Sequence, residues 1–494
     1  MTTFATTPVV KSLYPPWYQK KLASWRRGEI DWDGNCLLPD GDNDQAGGQG
    51  KAFKINKMTM LLRLDSLPSL LTFINLLGGE CEGSTPKAHK AKFDPAEVKS
   101  DSSRSLASNT PARRPVEVDG LRIMQLTQRT STVMTVSEVD EFTDRDPVLN
   151  VFRTFGRLNH LAISTGISVA PEDSFAEVLT TRAADRGSEL LLVPWSETGA
   201  VTDPQDLQGV SIENRFTSTA HNQFISKVLA SSSCSTAILV DRGFGGVDKT
   251  LTRTTSSPSL RSPQKTANLD SPTAPVADPS HHIFFPYFGG DDDKLALRFV
   301  LQLCENTRVT ATIVHIIFRK DARVNSPEIS IPPSVATAPG ARRDLPRGLS
   351  MSNVPTVSKG AESDSNPELV SSEDTFFKSI TDSLPSSIAN RVYCERVETS
   401  HALQHALVRA GEELGTSEKN AGDLLVLGRG AVMHRPYIRE ELVGVLETLG
   451  QPSGAGTAVR NFLGDVAEAA IVANIKASVL VVQAGVGAPR DERE

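Results

Sequence analysis

The stretch that most constrains this chain is Asn461 to Ala484, NFLGDVAEAAIVANIKASVLVVQA. Leu463, Val466, Ala469, Ala470 and Ala473 recur at helical spacing, and Asp465 stands where a first-turn carboxylate meets the positive end of the helix dipole. The apolar run Val479 to Val482 follows at once, so the pattern is a helix feeding a buried strand. Upstream, Asp423 to Gly430 (DLLVLGRG) is another short apolar run ending in glycines. Strand, long loop, helix and strand then come in the order that parallel pairing requires.

A similar series lies nearer the N-terminus. Met58 to Leu64 is a strand-length run, and a helix runs from Ser66 and Pro68 through Leu77 to the stop at Gly78-Gly79. Leu121–Leu126, Ile163–Val169, Glu189–Trp195 and Ala237–Val240 read as further strands, with helices over Val148–Leu158, Glu172–Arg186 and Asn222–Leu229. The C-terminal series opens at His282–Phe285 and turns through glycines into a helix starting at Asp291, Asp292 and Asp293. It continues through Thr310–Phe318, Phe376–Leu384, Arg391–Val397 and His401–Leu414 to the closing segments. The expectation is two tandem α/β domains, each a five-stranded parallel sheet, at 57–241 and 281–485, a duplication without a residue-level repeat. Residues 1–32 form an N-terminal arm, 33–56 and 242–280 read as linkers, and 486–494 as a tail. Two polar stretches without hydrophobic period, 80–119 and 320–370, read as disordered insertions.

The formal charge of -7 argues against a nucleic-acid partner, which needs a basic surface to displace counterions. Cys36, Cys81, Cys234, Cys304 and Cys394 are scattered without a CxxC pair, which indicates neither a zinc site nor a disulfide framework and suits a reducing, cytosolic setting. No window is apolar enough to span a bilayer. In the arm, Tyr14, Trp17, Tyr18 and Trp25 interleave with Lys20, Lys21, Arg26 and Arg27. That matches the aromatic belt and positive flank on the cytoplasmic side of a membrane helix; an ordinary amphipathic arm gives the same pattern.

For chemistry, glycine loops come first, because such sheets bind ligands at the carboxyl ends of their strands. Gly47 to Ala52 lacks the first glycine and the hydroxyl residue of a P-loop, and Gly243-Phe244-Gly245 is a turn. The loop at Gly428 and Gly430 is better placed, with a later helix start at Gly464 and Asp465; its amides could cradle a phosphate. Asp465 puts a carboxylate where that phosphate would sit, so a structural turn is the competing reading. His401 and His405 have the spacing of a metal pair without a partner motif, and Asp291–Asp293 are explained by helix capping. There is no GxSxG, Cys-His or HExxH signature, and nothing indicates an enzyme.

TTFATTPVVKSLYPPWYQKKL resembles the junction where the last membrane helix of fungal potassium/proton antiporters, relatives of the plant cation/proton exchangers, passes into the cytosol. LLRLDSLPSLLTFINLL looks like the first strand and helix of their cytosolic tail, and RIMQLTQRTSTVM like its second strand with a hydroxyl-rich continuation. FPYFGGDDDKLALRFVLQLCEN, DLLVLGRG and LGDVAEAAIVANIKASVLVVQ match its second half. The resemblance implies two universal-stress-protein-like, Rossmann-like domains and a non-catalytic regulatory role on the cytosolic face of a membrane, with 1–32 juxtamembrane. It implies as partners the antiporter's membrane domain, absent before Met1, and the membrane surface, and it allows a homodimer. The only cofactor it suggests is an adenine nucleotide at Gly428, Gly430, Gly464 and Asp465. Gly464 precedes Asp rather than the Ser or Thr of nucleotide-binding members. The alternative expectation is a stand-alone, soluble nucleotide-binding protein of the universal stress type.

Overall fold

The computed structural model describes residues 54–78, 91, 116–126, 143–159, 161–201, 216–245, 279–319, 367–415, 422–430, 436–448 and 457–485. The first series forms β1 (Lys57–Leu61), α1 (Leu67–Gly78), β2 (Glu117–Gln125), α2 (Pro147–Leu158), β3 (Ala162–Ala170), α3 (Phe175–Asp185), β4 (Leu190–Pro194), α4 (Thr219–Ser231) and β5 (Ser235–Val240). The second forms β6 (His281–Tyr287), α5 (Asp291–Leu303), β7 (Val309–Phe318), α6 (Pro367–Asp382), α7 (Ser386–Ala389) and β8 (Val392–Thr399). It ends with α8 (Ala402–Glu413), β9 (Leu424–Gly428), α9 (Pro436–Thr448), α10 (Thr457–Leu463), α11 (Asp465–Val472) and β10 (Ser478–Gln483).

The two tandem five-stranded parallel series expected from the sequence are joined through their fifth strands. One 10-stranded sheet runs β3-β2-β1-β4-β5-β10-β9-β6-β7-β8. Each half places its third, second, first, fourth and fifth strands from rim to centre, all in parallel. The halves meet at β5 and β10, the one antiparallel pair among these ladders, with Ile238 opposite Val481 and Val240 opposite Val479. Because successive strand residues point to opposite faces, the sheet supplies two cores. Met60, Leu192, Leu239, Leu480, Val426 and Phe285 face α1, α2 and α5. Leu191, Val193, Ile238, Val481, Leu425 and Phe284 face α3, α4, α8, α10 and α11. This is a mixed α/β, Rossmann-like arrangement with helices on both faces.

Several boundaries differ from the sequence reading. Residues 54–56, taken as linker, belong to the junction of the halves: Ile55 is buried, its N–H donates to Gln302 Oε1 at 2.9 Å, and Gln302 Nε2 donates to its carbonyl at 2.7 Å. Residues 242–245 do likewise. Arg242 donates to the carbonyls of Ile475 and Ile471 at 2.8 and 3.2 Å, and Phe244 is buried against His281. Residues 117–119, placed in the first insertion, start β2, because Val118 pairs with Met58 in the ladder. α6 begins at Pro367, inside the second insertion. The single helix expected after Asn461 is two, broken at Gly464, and α9 lies in what read as loop. The arm 1–32, the tail and nearly all of the insertions lie outside the described residues.

Candidate functional site

In each half the strand order reverses between the first and fourth strands, where a doubly wound sheet opens a crevice at the carboxyl ends. In the second half those strands are β6 and β9, and the crevice is where the sequence placed Gly428, Gly430, Gly464 and Asp465. The structure brings all four to this one end, around Arg429. A Cβ on Gly428 would stand 2.0 Å from Asp293 Oδ1, so only glycine lets β9 pass the N-terminus of α5. Gly464 has φ +91°, and a Cβ there would lie 2.4 Å from the Arg429 carbonyl.

The anion-binding groups of this loop are occupied by the chain's own acids. The Gly430 N–H donates to Asp292 Oδ2 at 2.9 Å, and the Ala484 N–H donates to Asp292 Oδ1 at 2.7 Å. Asp293 Oδ2 accepts from the Phe288 N–H at 2.9 Å. The acids read as helix caps therefore reach out of α5 and tie its first turn to the ends of β6, β9 and β10. Arg429 completes the seal: it donates to the Phe462 and Asn461 carbonyls at 2.9 and 3.2 Å, capping α10, and to Gln483 Oε1 at 2.7 Å. Burial holds its pKa below the usual arginine value, opposed by Asp292.

The first half has its own closure between β1 and β4. Buried Arg63 grips Asp65 through two nitrogens at 3.1 and 3.2 Å and donates to the Ala200 and Val201 carbonyls at 3.0 and 2.7 Å. Its Nη2 also donates to Ser196 Oγ at 3.1 Å. Sequence reasoning missed Asp292, Arg429, Arg63 and Asp65 as the residues that fill the two crevices. The available signal was positional, since each pair follows the first or fourth strand of its half. His401 is the N-cap residue of α8 and His405 lies one turn on, half-buried. Among the described residues, no group of three or more His, Cys, Asp or Glu could hold a metal ion. No described helix is long and apolar enough to cross a membrane.

Residues 118–244, from β2 to just past β5, match the plant cation/H(+) antiporter domain. Three Arabidopsis thaliana proteins are similar over a longer stretch. Cation/H(+) antiporter 17 is 21% identical over 332 residues, covering 64% of this chain and 31% of that protein. Cation/H(+) antiporter 18 is 23% identical over 328 residues with the same coverage, and cation/H(+) antiporter 19 is 21% identical over 327 residues, covering 64% and 30%. The chain thus spans under a third of the length of these curated relatives. It is similar to cation/proton antiporters, through a portion in which no described helix could span a bilayer.

Proposed function

We propose that this chain is the cytosolic regulatory portion of a monovalent-cation/proton antiporter of the fungal, potassium-exchanging type, non-catalytic in itself and acting on a membrane domain that carries the ions. The observation that carries the proposal is the similarity to three antiporters over 64% of this chain, anchored by the domain match at 118–244. Each half is read as a universal-stress-type unit. Both crevices are filled by the chain's own charged groups, half-buried Asp292 and Arg429 in one and the buried Arg63–Asp65 pair in the other, which favours a module that transmits contacts over one that turns over a substrate. Binding of an adenine nucleotide at Gly428, Gly430, Gly464 and Asp465 is not part of this reading, because the Gly430 amide already serves Asp292. Its partners are the antiporter's membrane domain and, through residues 14–32, the cytosolic membrane surface.

The test is a replacement experiment. The stretch of Arabidopsis cation/H(+) antiporter 17 that matches this chain is deleted or replaced by this chain, and potassium-driven proton movement is followed in vesicles with a pH dye. The proposal expects the deletion to alter the rate or its pH dependence and the replacement to restore it. Identical traces from all three proteins would sink it.

A further inference from the structure

β3 closes one end of the sheet, and among the described residues no strand pairs with its outer side. Its sequence, AISTGISVA, has no charge and no proline. The opposite rim is different: β8 carries Glu395, Arg396 and Glu398, which form ion pairs with Arg409, Asp374 and Arg319. Charges of that kind deter strand addition at a sheet edge, and β3 lacks them. Its outer row of backbone groups is therefore suited to pairing with an extended segment.

The surroundings say what kind of segment. On one face Arg153 Nε donates to Thr165 Oγ1 at 2.7 Å, and Ile163 fills the place beside Gly156 where a Cβ would clash. A cavity of about 300 Å³ opens here between α2 and β3, lined by Arg153, Gly156, Arg157, Leu161, Ile163 and Thr165. On the other face Ser164 donates to Asp119 at 2.6 Å, Arg182 donates to Asp119 at 2.8 and 3.1 Å, and Arg186 lies 3.5 Å from it. Two arginines thus frame each face of an uncharged strand. The acids among them are Asp119, shared by Arg182 and Arg186, the exposed Asp144 beside Arg153, and Asp185 near Arg182. Arg157 makes no ion pair among the described residues.

We propose that the β3 rim is a docking site for an extended acidic segment of a partner protein, which adds as a further strand. Its side chains alternate between faces, so acidic residues meet Arg153 and Arg157 on one side, where the α2–β3 cavity opens, and Arg182 and Arg186 on the other. Main-chain pairing supplies affinity and the arginines supply selectivity. A second copy of this chain is the poorer occupant, because apposed β3 rims would bring their guanidinium groups together. The site is independent of the antiporter reading and stands or falls by itself.

The probe is a fluorescein-labelled peptide of repeating Glu-Glu-Val-Val, which as a strand carries glutamates on both faces, titrated into the full chain and followed by anisotropy and by amide hydrogen exchange. The expected result is saturable binding that weakens with added salt and protects amides within 162–170. The double variant Arg157→Glu with Arg186→Glu, and separately Ser168→Glu, are expected to weaken binding by about tenfold or more. Both place their changes at the rim, and unchanged far-UV circular dichroism and thermal midpoint separate lost binding from lost folding. No binding, protection elsewhere, equal binding of a lysine–valine peptide, or unchanged affinity in the double variant overturns the proposal. Dimerisation of the unliganded chain through 162–170 would also overturn it, in favour of a second copy.

Discussion

Asp292 shows how a glycine loop suited to an anion can be satisfied without a ligand. Its two carboxylate oxygens serve the amides of Gly430 and Ala484, at 2.9 and 2.7 Å. Asp292→Ala leaves both donors without that acceptor, at an expected cost of about 1–3 kcal/mol, read as a lower thermal midpoint. Inorganic phosphate is then expected to raise the midpoint of the variant, since anions that bind the native state stabilise it, and to leave the parent chain unchanged. A phosphate-dependent rise in the parent chain would instead restore the nucleotide expectation at Gly428, Gly430, Gly464 and Asp465. Gly428→Ala is a sharper probe of the same crevice. Its Cβ would meet the Asp293 carboxylate and backbone, so destabilisation of about 1–3 kcal/mol is expected in denaturant melts. The sequence placed these glycines at a strand end correctly, because DLLVLGRG carries both the apolar run and its stop. It did not reveal what fills the loop, because Asp292 lies 138 residues away and only the strand order brings it there.

At the scale of elements, α6 is held to the sheet by a mixed array that responds to acid. The Tyr287 hydroxyl donates to the Glu373 carboxylate, Lys294 pairs with Glu373 at 3.0 Å, and Arg396 pairs with Asp374 at 2.9 Å. Phe377 lies on the His315 ring at 4.7 Å, while Lys294 and Arg298 each sit 5.3 Å from the centre of the Phe376 ring. His315 Nδ1 stands 3.5 Å from Asp374 Oδ1. Burial lowers the His315 pKa from its usual 6.5; Asp374 and Glu373 oppose the shift, and Arg396 adds to it. A histidine depressed in the folded state is neutral there while the unfolded chain already binds a proton. Its contribution is therefore intact above about pH 6.5 and is lost as pH falls through the window below that value. Amide exchange within 367–382 is expected to quicken on acidification across this window, and His315→Phe to flatten that response. An unchanged pH profile in the variant would show that another group controls α6. His405 on α8 is shifted the same way by burial and Arg409, so a measurement confined to α6 is needed to separate them. α9 makes a different kind of contact: Glu441 accepts from the N–H groups of Ala402, Leu403 and Gln404 at 2.9, 2.9 and 3.2 Å and so caps α8. Glu441→Ala is expected to cost about 1–2 kcal/mol in thermal or chemical melts. This helix escaped the sequence reading although Ile438, Leu442 and Leu446 repeat at four-residue spacing. The run between them is rich in charge, and the glycine-bounded interval suggested a loop.

On the scale of the whole molecule, the consequential contact is the seam between β5 and β10. Val240, Leu239, Ile238 and Ala237 face Val479, Leu480, Val481 and Val482 in antiparallel register, all of them buried. Around it α1 meets α5 through Phe73 and Phe299 at 5.8 Å, and Lys54 pairs with Glu305 at 2.7 Å. Local pattern identified both strands but not their union, because an apolar run buried on both faces looks the same whether its neighbour comes from its own half or the other. What the pattern did contain was a negative signal: neither TAILV nor VLVV carries the charge or proline that protects an exposed sheet edge. A split at the seam would uncover two unprotected edges, so the halves are expected to unfold as one cooperative unit rather than as two. Val481→Asp places a carboxylate in the buried core beside the Ile238 register position, with an expected loss on the order of 3–5 kcal/mol. If the halves are thermodynamically one body, this change lowers the unfolding of β1 and β7 alike, seen as equal loss of exchange protection at 57–61 and 309–318. Loss confined to β9 and β10, with the strands of the first half still protected, would show instead that each half keeps its own stability and that the seam merely docks them.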